Sequence, residues 1–412
     1  MASHPRLRSN TASDLISQLP EDIKHRILEC LNTREVARTA VLSKQWNDVW
    51  LRHGRLVFDW DLGDLLGGNI CLKMITNVLL LRSGPVKKFT LAISKFEPAL
   101  KQSDIDVLCR FLSRNGIEKL HLSIDADGDT GEYYTVPVCV ISCPTIKQLQ
   151  LGYMYFCWPV NTQPASMFYG VTSLKFHFME FKPNDTGILP SIPHLEILVF
   201  FDCDGINHFV ISAPKLKCLS FATRIVAEWK FFELHFPVIE TLRFSVCPLY
   251  NKATAAINVQ ERFPIATNLQ VIKLTNFSFA HTKCITLVIQ LLRKCPKLHK
   301  LEINSMEYRH CMIYGREFQC PDPTSLKDPE SLFNDQDLCK LKTVKMKEFR
   351  GLRGEMLFIE AILSKSPVLE EVFIMESVGI DASVAFKMTR EMTSFPRASP
   401  KAKIVFGDPK GS

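Results

Sequence analysis

The sequence predicts an α/β chain in which a small helical segment precedes a long array of strand-forming repeats. Three observations carry this reading. A six-residue pattern h-x-x-h-x-h, with h apolar, returns again and again between residues 86 and 374. Proline often stands one or two residues ahead of its first apolar position, as at Pro144, Pro193, Pro214, Pro237, Pro296 and Pro367. Residues 19–50 have quite a different rhythm, with helical spacing and two tryptophans.

The helical segment divides into three. Helix one runs from about Pro20 to Leu31, with proline at its start and Glu21 and Asp22 in its first turn, both suited to a helix N-terminus. Ile23, Ile27 and Leu31 share a face, with Leu28 beside it. Asn32 followed three residues on by Glu35 is a capping-box start for helix two, which carries Val36, Ala40 and Val41. Ser43 caps helix three, where Trp46 and Trp50 stack four apart. Roughly forty residues bury too little surface for comfortable stability alone. Even so, Leu19, Pro20 and Ile23 at the front and Val41 and Leu42 at the helix two–three corner are apolar. Such a face either caps the first repeat or docks into a groove on another protein.

The repeats begin as Val86-Phe89-Leu91, Ile117-Leu120-Leu122 and Ile146-Leu149-Leu151. They continue through triplets starting at Val171, Leu195, Leu216, Ile239, Leu269, Leu298 and Leu341, and end at Leu369-Val372-Ile374. The closing h-x-h is a period-two strand, and proline ahead of it stops a helix or loop and feeds extended backbone. One such strand cannot bury its apolar side alone, whereas stacked neighbours build a continuous core. Ile285 to Leu292 and Met356 to Leu363 have helical spacing between strands. Strand plus helix at a step mostly in the twenties predicts a leucine-rich-repeat solenoid rather than an ordinary compact α/β domain. It is an irregular one, because the usual asparagine or cysteine ladder position is mostly missing. The h residues are core. Those between the last two h positions (Gln150, Lys175, Arg243, Lys273, Glu302 and Lys345) would point to a concave face and offer a target-binding surface. A polar, proline-bearing insert at 305–334 reads as a long loop that separates the solenoid, 55–304, from a terminal module at 335–407.

Composition is globular, with 46% hydrophobic and 23% charged residues. The first residues lack the apolar core of a secretory signal, and no run approaches the ~18 apolar residues of a membrane span. A cytoplasmic or nuclear location is expected, where most of the 14 cysteines serve as small buried residues. Net charge is +7, but the tail at 1–13 holds +2 of it and residues 396–412 hold +3, so neither nucleic acid nor membrane is expected as a partner. No phosphate loop, His-Glu-x-x-His or Gly-x-Ser-x-Gly is present. Cys139/Cys143 and Cys311/Cys320 lack zinc spacing, and Asp125-Asp127-Asp129 has Thr130 and Val136 where a calcium loop needs glycine and glutamate. No catalytic residue, metal or cofactor is expected, and a binding protein is the better reading.

The string Leu19-Pro20-Glu21-Asp22-x4-Ile27-Leu28-x2-Leu31, with Val36-Ala37-Arg38-Thr39-x-Val41-Leu42-Ser43-Lys44-x-Trp46-x3-Trp50, resembles an F-box. Leu56-Val57-Phe58-Asp59 matches the short strand that follows it in such proteins. Phe349-Arg350-Gly351, Ser366-Pro367-Val368-Leu369-Glu370 and Phe395-Pro396-Arg397-Ala398-Ser399 resemble the FBD module of plant F-box/leucine-rich-repeat proteins. The resemblance implies an F-box at 14–54, an FBD-like module at 335–407 and a short tail at 408–412. It also implies a substrate-recognition subunit of a Skp–cullin–F-box ubiquitin ligase, not itself an enzyme; the alternative is a scaffold or regulatory binder working outside any ligase. By family position, Leu19, Pro20, Ile23, Val41 and Leu42 would contact a Skp-type adaptor and through it a cullin, while Ile27, Leu28, Leu31, Trp46 and Trp50 would form the F-box core. The basic run Lys24-His25-Arg26 departs from the family's more apolar pattern and would weaken docking.

Overall fold

The computed structural model describes residues 15–59, 68–94, 101–125, 133–159, 167–184, 189–222, 237–245, 265–279, 282–305, 333–334 and 337–407. The two expected tails, Asp127 and Asp129 of the aspartate-rich turn, Cys311, Cys320 and residues 306–332 of the expected insert lie outside the described residues. Two units divide the chain, Met1–Val140 and Ile141–Ser412.

The first unit opens with α1 (Glu21–Glu29), α2 (Thr33–Thr39) and α3 (Lys44–Arg52), followed by β1 (Arg55–Phe58). Pro20 is the residue before α1 rather than its first residue. The expected caps are present: Glu35 N–H donates to Asn32 Oδ1 at 2.9 Å, Asn32 N–H donates to Glu35 at 3.3 Å, and Trp46 N–H donates to Ser43 Oγ at 3.4 Å. Two helices not read in the sequence follow, α4 (Gly68–Leu80) and α5 (Gln102–Arg114), alternating with β2 (Lys88–Ser94) and β3 (Lys119–Asp125). The strands run parallel in chain order, with Leu56 opposite Phe89 and Phe89 opposite Leu120. The free edge of β1 is covered by the helical segment. Val57 N–H donates to the buried Thr33 Oγ1 at 2.6 Å, and Arg55 reaches the carbonyls of Glu29 and Leu31.

The second unit is a parallel ladder in strict chain order. Its strands are β4 (Gln148–Gly152), β6 (Ser173–His177), β8 (Ile197–Phe201), β9 (Cys218–Ala222), β10 (Thr241–Ser245), β11 (Val271–Phe277), β12 (Lys300–Ser305), β13 (Thr343–Phe349), β14 (Glu371–Glu376) and β15 (Lys403–Gly407). A single register runs through it: Leu149, Leu174, Leu198, Leu219, Leu242, Ile272, Leu301, Val344, Val372 and Ile404 are successive partners. Every apolar position of the sequence pattern, in both units, is at most 7% exposed. A shorter parallel pair, β5 (Met154–Phe156) and β7 (Glu180–Phe181), sits beside the main ladder. Between the two layers Phe156, Phe176, Phe181, Phe200 and Phe209 pack with ring centroids 5.1–6.3 Å apart, most of them edge-on, the arrangement aromatic quadrupoles favour.

The ladder does not stop at Ile303: β12 pairs with β13 from Lys300↔Thr343 to Asn304↔Lys347. Strands β13, β14 and β15 therefore extend the same sheet beyond the expected break. The last strand, β15, escaped the repeat count because Lys401 occupies its first apolar position while Ile404 and Phe406 keep the other two. The expected helices are α6 (Thr282–Arg293) and α7 (Arg353–Lys365), and α8 (Ala382–Thr393) follows.

The C-terminal motifs are turn locks. Gly351 has φ +71°, a left-handed backbone that glycine adopts without strain, and a Cβ there would lie 2.8 Å from Met388 Sδ, which would have to shift. The buried Glu355 accepts the N–H groups of Arg350 and Leu352, each at 3.0 Å; burial pushes its carboxyl up against the pull of those donors. Ser399 Oγ donates to Leu369 O at 2.6 Å, and Arg397 Nη1 donates to Ala402 O at 2.9 Å.

Candidate interaction surfaces

The helical segment presents apolar side chains outward at two places that one hydrogen bond brings together. Ser17 Oγ and Ser43 Oγ are 3.0 Å apart, which seats the turn before α1 beside the α2–α3 corner. On this side Val41 is 88% exposed and Leu42 58%, and the turn adds Leu15 at 70% and Ile16 at 57%. Pro20 is exposed, while Leu19 and Ile23 are half-buried. Leu15 and Ile16 were missed in the sequence; the signal available was an apolar pair directly ahead of Leu19-Pro20.

The core of this segment is shifted by one residue from the expected helical face. Leu28, Trp46 and Trp50 are buried and Leu31 is half-buried, but Ile27 is 37% exposed and belongs to the outward side with Pro20 and Ile23. The physical reason is Lys24. Its stem fills the buried slot one turn before Leu28, and its ammonium donates to Ser17 O at 2.6 Å and Gln45 Oε1 at 3.0 Å, 5.8 Å from the Trp46 ring centroid. Snorkelling of this kind lets a lysine replace an apolar residue. The expectation that the basic run meets an approaching partner fails at Lys24, which is turned inward. His25 stacks on the buried His53 with centroids 5.9 Å apart, leaving Arg26 exposed.

The solvent side of the second unit's ladder gathers the residues expected on the concave face. Gln150 is opposite Lys175, Arg243 is opposite Lys273, Lys273 opposite Glu302 and Glu302 opposite Lys345. Val199 and Ser220 fill the rungs between Lys175 and Arg243, and Phe373 and Val405 extend the row. Sequence reading passed over these four because it selected charged and amide side chains, whereas register alone decides membership. Glu302 accepts from Lys273 at 2.7 Å and Lys300 at 2.8 Å; burial raises its carboxyl, but the two ammonium groups outweigh burial and hold it below its ordinary value. The Lys345 ammonium stands 4.9 Å from the Phe373 ring centroid.

At the C-terminal ends of β4, β6 and β8 lies an aromatic shelf. Tyr153 stacks on Phe178 at 4.7 Å, and Phe178 meets Phe201 edge-on at 5.4 Å. Tyr153, Phe178 and the next such residue, Asp202, all have φ near +50°, rare for side chains other than glycine. That conformation turns their N–H groups onto the neighbouring strand: Tyr153 to His177 O at 3.0 Å and Phe178 to Phe201 O at 2.8 Å. Burial and then Lys175 lower the His177 pKa.

Among the described residues no group of His, Cys, Asp and Glu is arranged to hold a metal ion, and no helix is long and apolar enough to cross a membrane. Burial pushes the Cys203 and Cys295 thiols up to about 12, away from the thiolate chemistry of a nucleophile.

Against known proteins, the F-box domain model matches residues 16–58, the three helices and β1. Residues 16–58 are an F-box. The F-box is joined to a chain that aligns with relatives over most of its length. An F-box/FBD/LRR-repeat protein of Arabidopsis thaliana is 27% identical over 95% of this chain and 98% of its own length. An FBD-associated F-box protein of the same plant is 22% identical over 96% of this chain and all of its own length. A second F-box/FBD/LRR-repeat protein, also of Arabidopsis thaliana, is 30% identical over half of this chain and 48% of its own length. The F-box is thus followed by an irregular leucine-rich-repeat body whose last strands carry the FBD motifs.

Proposed function

We propose that this chain is the substrate-recognition subunit of a Skp–cullin–F-box ubiquitin ligase, working in the cytoplasm or nucleus. Its F-box docks a Skp-type adaptor, and the solvent face of its repeats holds a protein target. F-box domains in general bind such adaptors. The observation that carries the reading is the α2–α3 corner, where Val41 and Leu42 stand in solvent on a segment too small to waste apolar surface. Leu19, Pro20 and Ile23 complete the contact. The chain performs no bond chemistry in this role. It raises the effective concentration of a target lysine beside a charged conjugating enzyme.

Co-expression with a Skp adaptor tests this. Wild type should co-purify with it in a one-to-one complex, and the Leu19→Ala/Pro20→Ala variant should lose most of the bound adaptor. Failure of the wild type to co-purify would leave a scaffold acting outside any ligase as the better account.

A further inference from the structure

We propose that the target segment taken by the ladder face is an extended acidic peptide with one aromatic anchor. This rests on the receptor reading above and specifies its substrate class. Three observations lead there. The first is charge. The body of the chain carries little net charge, yet the solvent-facing residues of β6–β13 include Lys175, Arg243, Lys273, Lys300, Lys345 and Lys347 against Glu302 and Glu348. Glu348, at the end of β13, accepts from Ser377 Oγ at 2.8 Å. The cations are sorted onto one face, and a partner of opposite sign is what such sorting attracts.

The second is the shelf. Phe201 is 45% exposed at its open end, and Ile197, four residues earlier on the same face, is 39% exposed. Rigid exposed aromatic surface beside cations is the composition of a binding hot spot. The left-handed backbone at Tyr153 and Phe178 is a strained conformation for side-chain-bearing residues and sets those rings in their stack.

The third is distance. Neighbouring strands lie about 4.8 Å apart, so Arg243, Lys273 and Lys345 stand about 10, 14 and 24 Å from the Phe201 rung, counting strands. An extended peptide crossing the strands advances about 3.3 Å per residue. Its carboxylates should therefore fall about three, four and seven residues from the aromatic anchor. A nucleic-acid strand fits less well. Its regular phosphates would meet an apolar gap at Val199 and a carboxylate at Glu302 between the cations.

The test is selection from a degenerate peptide library with one fixed tryptophan, using the full chain purified with its Skp adaptor. Recovered peptides should be enriched in Asp and Glu about three to seven positions from the tryptophan. A labelled representative should bind the Arg243→Ala/Lys345→Ala variant about tenfold more weakly, the worth of two partly exposed charge pairs. Phe201→Ala should relax the need for tryptophan and spare the acidic preference. Both variants change solvent-facing side chains, and an unaltered thermal melting curve of the full chain confirms that they fold. No enrichment, enrichment in basic residues, or tighter binding of a polyuridylate RNA than of any peptide would overturn the proposal. Adaptor binding is read on the same sample, so its loss alongside acidic enrichment would strike the ligase reading and leave this one standing.

Discussion

The Lys24 ammonium sits 5.8 Å from the Trp46 ring centroid and is held there by the Ser17 carbonyl at 2.6 Å. This contact closes the F-box from inside and ties the turn that carries Leu15 and Ile16 to α3. Replacing Lys24 by Ala should destabilise the F-box by about 1–3 kcal/mol, the combined worth of a desolvated cation–π contact and its hydrogen bonds. Arg26→Ala, two residues on and exposed, should be neutral. Urea denaturation followed by tryptophan emission distinguishes them, and equal effects would show that Lys24 has no such role.

His53 gives the F-box a pH dependence. Burial lowers its pKa from 6.5 to about 4, with His25, Arg82 and Arg55 adding repulsion. The unfolded chain therefore takes up a proton at this residue while the folded one does not. Stability is full above about pH 6.5 and falls as pH drops toward 4, by on the order of 1–3 kcal/mol. His53→Gln should flatten that part of the stability–pH curve relative to wild type. A variant curve parallel to wild type would show that His53 is not the source.

The FBD motifs should behave as structural locks. Glu355→Ala leaves the N–H groups of Arg350 and Leu352 without their acceptor in a buried turn and should cost about 2–4 kcal/mol. Glu355→Gln keeps an acceptor and should cost less. Ser399→Ala loses the bond to Leu369 O and should cost about 1–2 kcal/mol. Thermal melts of the three variants should rank in that order of size, with Glu355→Ala lowest in Tm. None should alter adaptor binding.

The strands were legible because each repeat writes its core in three apolar letters at fixed spacing, and the register of the ladder follows from aligning those letters. β15 was not, since Lys401 breaks the pattern at its first apolar position. The adaptor-facing corner could be read as apolar residues in a segment too small to hide them. Ile27 was misplaced because a lysine was assumed to face water, whereas Lys24 takes the buried slot. The binding row was half legible: its members were chosen by polarity, while Val199 and Phe373 belong to it by register alone. The aromatic shelf depends on left-handed backbone at Tyr153 and Phe178, which no composition rule signals.

On this proposal, adaptor docking depends most directly on the α2–α3 corner. Affinity of the full chain for a Skp adaptor, measured by isothermal titration for wild type and Val41→Asp/Leu42→Asp, tests it. Both side chains are in solvent, so the variant should keep the wild-type melting curve while its Kd rises at least about a hundredfold, as expected for charges placed in an apolar contact. An unchanged Kd with intact folding would contradict the assignment of this corner as the docking surface.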